Sequence, residues 1–174
     1  MAAETYKLME EKRIYQLPRI VSQEQIQSSD VLSHLATVHD LMLEQEEFFR
    51  IQAKFQTTYT VDVFASWFSA KIDRFYSREW DHWAMGTNSL IHPWKGETVY
   101  AFPPRNLILR TVMKVREERC QVIIVTPKTA AKPWTKLLQR IASKSTTIPP
   151  SKILDIYGNP MDGSPWKAWL IHLE

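Results

Sequence analysis

The chain has 174 residues, of which 44% are hydrophobic and 24% are charged, and its formal net charge is +3. This balance predicts one globular domain, with or without a short appendage, whose core needs no disulfide or structural metal. The single cysteine, Cys120, excludes an intramolecular disulfide framework. The sequence contains no GxGxxG or GxxxxGK[ST] motif, which argues against kinases, P-loop nucleotidases and ordinary NAD-binding domains.

No apolar run approaches the ~18 residues of a membrane span, and the first residues lack the apolar core of a signal peptide. We therefore expect an intracellular protein, nuclear or cytoplasmic, that does not contact a membrane. The mildly basic charge permits contact with nucleic acid without requiring it.

The first forty residues combine helix-forming and polar residues, and they predict a mainly helical appendage. Residues 4–13 favour a helix, residues 13–17 favour a short extended piece, and the polar stretch that ends at Asp30 favours the capped start of another helix. Residues 40–55 then place apolar side chains at helical spacing, which predicts an amphipathic helix.

The rest of the chain alternates between strand and helix patterns. β-Branched, aromatic or continuous apolar segments predict strands at residues 58–64, 98–102, 121–126, 152–157 and 166–172. Helical periodicity predicts helices at residues 106–119 and 133–142. Residues 66–97 contain four tryptophans but little periodicity, which favours a long loop or short helices.

This alternation predicts an α/β fold with an open, mostly parallel sheet. Residues 152–157 and 166–172 flank turn-forming residues, so we expect them to form an antiparallel strand pair at the C-terminal end. Ligands of open α/β sheets bind at the carboxyl ends of the strands. Residues 62–66 and 101–105 are therefore the candidate site segments.

Those segments belong to a longer series of motifs: VDVFASWFSAKIDRFYS, Trp94, VYAFPPRNLILRTVMKVREE, VIIVTPK and a final PW. The series resembles the segment downstream of the ribonuclease H region in DIRS-type tyrosine-recombinase retrotransposons, over about residues 38–173. That segment is in turn similar to the Dam-like adenine methyltransferases of phages, in which a D-V-x-A strand end precedes a strand that ends in N-P-P-Y.

The resemblance implies a Rossmann-like class I methyltransferase fold for residues 41–174, using S-adenosylmethionine if the domain is active. It implies that the cofactor side is lined by Asp62, Phe64 and Ala65. It also implies that the catalytic loop consists of Phe102, Pro103, Pro104 and Arg105.

The two site segments depart from the pattern of a working adenine methyltransferase. Phe102 stands where an asparagine would accept hydrogen bonds from the adenine amino group, and Arg105 stands where an aromatic residue would stack on the flipped base. The glycine-rich turn beside the cofactor is replaced by Ser66-Trp67. We therefore predict a catalytically degenerate domain without a cofactor. In a purely structural alternative, Asp62 caps a neighbouring turn and the two prolines end a buried strand.

The first forty residues carry a second resemblance. Residues 13–20 and 27–34 are similar to the end of a retroelement ribonuclease H, whose pattern there is N-x-x-A-D-x-L-S-R. On that match Asp30 is a vestige of the last metal-binding carboxylate, and His34 replaces the usual arginine. One carboxylate cannot hold the two metal ions of that reaction, so we predict no metal site.

Two basic stretches are candidates for contact with nucleic acid. Their candidate residues are Arg110, Lys114, Lys132, Trp134 and Lys136. The alternatives are a solvated helix face and a packed tryptophan.

Three functions remain open from the sequence. The first is a degenerate, nucleic-acid-associated, methyltransferase-like domain derived from a retroelement. The second is an active adenine methyltransferase. The third is a domesticated structural or protein-interaction subunit, in which the tryptophan-rich loop contacts a protein partner.

Overall fold

A computed structural model describes residues 41–173 of the chain. The segment that resembles a ribonuclease H, including Asp30 and His34, lies outside the described residues, so the predicted appendage and its boundary at residue 40 stay predictions. Three α-helices lie within the described part: α1 (Gln45–Phe55), α2 (Ile108–Glu118) and α3 (Pro133–Ile141). Its strands are β1 (Met42–Leu43), β2 (Val61–Asp62), β3 (Tyr76–Ser77), β4 (Gly86–Thr87), β5 (Thr98–Ala101), β6 (Gln121–Pro127), β7 (Ala142–Ile148), β8 (Ile153–Leu154) and β9 (Trp166–His172).

The main sheet has five strands in the order β2-β5-β6-β9-β7. The pairs β2–β5 and β5–β6 are parallel, whereas β9 is antiparallel to both of its neighbours, β6 and β7. The α/β prediction is confirmed. The prediction of a mostly parallel sheet is corrected to a mixed one, because β9 inserts between β6 and β7 and makes half of the four strand pairings antiparallel.

The predicted C-terminal strand pair is wrong in one partner. Strand β9 pairs with β7, which falls in a segment for which we predicted no strand. Residues 152–157 instead contribute only β8, which pairs with β1 in a separate two-stranded sheet. That strand ends early because the Asp155 carboxylate accepts hydrogen bonds from the backbone amides of Tyr157 and Asn159, both at 2.9 Å, and so stabilises a turn.

Strands β3 and β4 form a short parallel pair beside the main sheet. A parallel bridge joins Asp62 of β2 to Phe75, next to β3, and the Ala65 amide donates to the Tyr76 carbonyl at 3.0 Å. Across the molecule, the strands therefore follow one another as β4-β3-β2-β5-β6-β9-β7. The segment that we expected to be a loop or short helices thus carries two strands and one 3₁₀ turn, Ser89–Ile91.

Strand β6 is the centre of the core, and side chains cover it on both faces. Val122 and Ile124 pack with α2 and α3 on one face, in a cluster that contains Val112 and Leu138. Ile123 and Val125 pack on the other face with α1 and its Phe48, Ile51 and Phe55. The strand therefore alternates between two apolar layers, as its continuous apolar sequence predicted.

The tryptophans divide between core and surface. Trp94 is 1% exposed, and Trp166 and Trp169 of β9 are also buried. Of the two alternatives for β9, a core strand or an exposed partner surface, the structure supports the core. Trp80 is 80% exposed. Within residues 41–173, no helix combines the length and the apolar character needed to cross a bilayer.

Cys120 lies directly before β6 and is buried, with 4% of its surface exposed. Burial, together with the nearby Glu118 carboxylate, raises the pKa of its thiol to about 11. At pH 8 only ~0.1% of such a thiol is thiolate, the reactive form. We expect labelling by a thiol reagent at pH 8 to be at least tenfold slower in the native protein than in urea. Equal rates would show that Cys120 is accessible and reactive.

Candidate functional site

A cavity of the described structure has a volume of about 300 Å³ and opens at the carboxyl ends of four parallel strands. Residues that follow β2, β3, β4 and β5 contribute to its wall, together with the start of α2 and one residue before β1. The lining residues that matter for its chemistry are Val63, Phe64, Ala65, Ser69, Ser77, Arg78, Asn88, Ser89, Leu90, Phe102, Pro104, Leu107 and Arg110. The cavity therefore brings together parts of both site segments that the sequence predicted.

The β2 side of the cavity is formed by Phe64 and Ala65, two of the three predicted cofactor-binding residues. The third, Asp62, is 1% exposed and does not line it. Its carboxylate accepts hydrogen bonds from the backbone amides of Lys71 at 3.0 Å and Phe64 at 3.4 Å. Asp62 thus holds the turn that follows β2, which agrees with the structural alternative for this residue.

The β5 side of the cavity is the predicted catalytic loop. Phe102 and Pro104 line the cavity, whereas Pro103 and Arg105 do not. The Phe102 ring packs against Trp166 with the ring centroids 5.4 Å apart, and the Arg105 guanidinium lies 5.7 Å from the centre of the same ring. Both residues that differ from the N-P-P-Y pattern therefore contact Trp166.

The wall formed after β3 and β4 was not predicted from the sequence. Ser77 is the last residue of β3 and Arg78 follows it, and Asn88 and Ser89 follow β4. Asn88 has a φ of 53°, a left-handed conformation that asparagine tolerates better than most residues. These strands have two residues each, so they show no periodicity, and no sequence signal marked the polar residues that follow them.

Ser89 is held in place by the buried Trp94. The Trp94 indole nitrogen donates to the Ser89 carbonyl at 3.1 Å, and the Trp94 backbone amide donates to a Glu118 carboxylate oxygen at 2.9 Å. Lys114 lies 5.1 Å from the centre of the Trp94 ring and 3.3 Å from the Glu118 carboxylate. These contacts connect the wall of the cavity to α2.

The five predicted nucleic-acid-binding residues occupy different environments. Arg110 lines the cavity, whereas Lys114 contacts Glu118 and Trp94. Trp134 packs against the core with its indole nitrogen buried, which favours the packing alternative for its ring. Lys132 lies 5.9 Å from that ring, and Lys136 is exposed on α3.

Two of the residues that line the cavity are arginines. Arg78 and Arg110 line it, and no aspartate or glutamate is among its lining residues within the described part of the chain. Three serines, Ser69, Ser77 and Ser89, and Asn88 are the other polar residues of the lining. A group of this composition suits a ligand that carries negative charge and accepts hydrogen bonds.

No protein-family profile and no curated protein matches this sequence.

Proposed function

We propose that this chain is a methyltransferase-like domain of retroelement origin that associates with nucleic acid and transfers no methyl groups. The observation that carries the proposal is the cavity between the ends of β2 and β5. It contains Phe64 and Ala65 from one site segment and Phe102 and Pro104 from the other.

The strand order supports a Rossmann-like fold. Starting at β2, the chain adds β3 and β4 on one side, and it then returns to place β5 on the other side of β2. Doubly wound sheets have this arrangement, with the order 3-2-1-4-5-6, and their ligands bind where the direction reverses. The cavity lies at that reversal. This sheet differs from the doubly wound order in one respect. The antiparallel strand β9 lies between β6 and the last strand of the sheet, β7.

The environment of the loop argues against methyl transfer. Activation of an adenine amino group requires hydrogen-bond acceptors at the loop, and Phe102 has none. In a working enzyme the residue at the position of Arg105 is aromatic and stacks on the base. Here the Arg105 guanidinium lies near the Trp166 ring instead. The Asp62 carboxylate accepts backbone hydrogen bonds and Asp62 does not line the cavity, which supports a role in the turn rather than in cofactor binding.

The proposed nucleic-acid contact is supported by exposed basic side chains around α3, among them Lys132, Lys136 and Arg140. We expect the purified chain to bind single-stranded DNA, measured by fluorescence anisotropy over a range of salt concentrations. Replacing Lys132 and Lys136 with alanine should weaken binding on the order of tenfold and reduce the slope of log affinity against log salt by roughly 1.4, because each phosphate contact contributes ~0.7.

A matched control replaces Lys54 and Lys95 with alanine, which changes the net charge equally at two other exposed positions. Lys54 lies on α1, on the opposite face of the sheet from α3. This control should retain the parental salt slope. If the control lost as much affinity for DNA as the α3 variant, net charge alone would explain both losses. That result would refute a binding surface at α3.

Methyl transfer is tested with the same preparation. With labelled S-adenosylmethionine and DNA that contains adenine, no transfer above background is expected from the parental chain. Transfer that Phe102→Ala abolishes would establish an active adenine methyltransferase and overturn the proposal.

A second candidate function, a protein-interaction subunit, is supported by a different observation. Trp80, Met85 and Ile91 are large apolar residues in the segment between β3 and β5, and they are 80%, 48% and 73% exposed. Exposed apolar surface of this kind often marks a protein contact. A chain of this type would show no DNA binding in the titration described above.

A further inference from the structure

The composition of the cavity is unsuited to S-adenosylmethionine, the ligand that the resemblance implies. That cofactor carries a positive sulfonium and a zwitterionic amino-acid group, so its net charge is positive. The lining residues of the cavity include Arg78 and Arg110 but no carboxylate within the described residues. Arg78 follows β3, the strand next to β2.

One lining residue has an unsatisfied polar group. The Ser89 side chain is 2% exposed, and its hydroxyl is buried without a hydrogen-bond partner. A buried hydroxyl without a partner costs free energy of folding, which a ligand that bonds to it would recover. Ser89 lines the cavity together with Arg78, and Arg110 of the first turn of α2 lines it as well. The positive end of the α2 dipole adds to the attraction for an anion.

Part of the lining is apolar, and two of its residues are aromatic. Phe64, Leu90, Phe102 and Leu107 supply surface that can pack against a planar ring. The volume of about 300 Å³ is at the lower end of the range for small-molecule sites, so one nucleotide unit is close to the largest ligand that fits. Apolar surface for a base and arginines for a phosphate thus occur in one cavity.

We propose that the cavity binds a nucleoside 5′-monophosphate unit. The phosphate contacts Arg78 and Arg110, the Ser89 hydroxyl donates a hydrogen bond to it or to the sugar, and the base packs against Phe64 and Phe102. The unit is either a free nucleotide or the phosphorylated 5′ end of a nucleic-acid strand, since the chemistry recognised is the same. This inference rests on the proposed association with nucleic acid and names the part of that ligand which enters the cavity.

Calorimetry with adenosine monophosphate, adenosine and S-adenosylmethionine tests the assignment. Adenosine monophosphate should bind more tightly than adenosine, and Arg110→Gln should weaken its binding by roughly ten- to hundredfold, because a charged hydrogen bond is lost. The same variant should leave adenosine binding unchanged. Arg116→Gln is the matched control, since Arg116 lies on α2 but does not line the cavity.

Ser89→Ala separates a ligand contact from a structural role. Because the hydroxyl has no partner in the protein, its removal should leave thermal stability unchanged or raise it. The same removal should weaken binding of adenosine monophosphate several-fold. A variant that loses stability and keeps its affinity would assign the hydroxyl to the fold and remove it from the binding site.

Two further outcomes would overturn the inference: no binding of adenosine monophosphate at millimolar concentration, or tighter binding of S-adenosylmethionine than of adenosine monophosphate. Competition experiments with adenosine monophosphate and with oligonucleotides that carry or lack a 5′ phosphate distinguish the two ligands. A site for strand ends should bind the phosphorylated oligonucleotide more tightly than both the unphosphorylated one and the free nucleotide. Failure of this inference leaves the salt-dependent binding at α3 intact. If the proposed function is wrong, DNA binding at α3 would be absent, whereas calorimetry would still detect binding of adenosine monophosphate.

Discussion

Replacement of Trp94 with alanine is expected to lower the free energy of unfolding by about 3–5 kcal/mol, the cost of removing a large buried aromatic side chain. The side chain is 1% exposed and packs in the cluster beneath α2. It also donates the hydrogen bond that holds the Ser89 carbonyl. Urea unfolding followed by circular dichroism measures the change without relying on tryptophan fluorescence.

Two variants refine this result. Trp94→Phe keeps an aromatic ring in the core but removes the indole donor and part of the ring volume, so a smaller loss of about 1–3 kcal/mol is expected. Trp80→Ala makes the full substitution at a residue that is 80% exposed, and it should change stability by less than ~0.5 kcal/mol. Equal losses for Trp94→Ala and Trp80→Ala would contradict the assignment of Trp94 to the core.

Replacement of Asp62 with asparagine is expected to cost about 1–3 kcal/mol of stability, because it disrupts buried hydrogen bonds to a charged acceptor. The carboxylate accepts hydrogen bonds from the Lys71 and Phe64 backbone amides, and an asparagine in its place would bring an NH₂ donor close to those N–H groups.

Tyr100 lies beside this carboxylate. Burial, followed by the charges of Asp62 and Tyr59, raises the pKa of Tyr100 well above its ordinary value, so its phenol stays neutral.

The control for this substitution is Asp162→Asn, which makes the same change of charge at an exposed position and should be neutral within ~0.5 kcal/mol. If Asp62 were a cofactor ligand instead, its replacement would abolish binding of S-adenosylmethionine and leave the unfolding midpoint where it was. The two roles therefore give opposite results in two measurements on one variant.

The long elements of this fold could be predicted because their side chains repeat regularly. Strand β6 is a continuous apolar run, and α2 places Val112 and Val115 on one face, so each was found within a residue or two of its bounds. Strand β7 was missed for two reasons. Its exposed face is polar, with only Thr146 and Ile148 buried, and it follows α3 without a glycine or proline to mark the end of the helix.

The site could be predicted only in part, for a related reason. The rule that ligands bind at strand ends identified Phe64 and Phe102, since β2 and β5 lie in segments with a strong strand pattern. Arg78 and Ser89 follow strands of two residues, which depend on hydrogen bonds to a neighbour rather than on their own sequence. The role of Asp62 depended on the orientation of one carboxylate, which no spacing in the sequence reveals.

The insertion of β9 between β6 and β7 has a consequence for biosynthesis. On the ribosome, β6 and β7 emerge before residues 166–172, yet β7 has no partner in the main sheet until β9 lies beside it. During that interval one edge of β6 and both edges of β7 are unpaired, and such edges are sites for pairing with other chains. The sheet can therefore be completed only after residue 172 has been synthesised. A stop codon before residue 166 would yield an aggregation-prone product rather than a smaller folded domain.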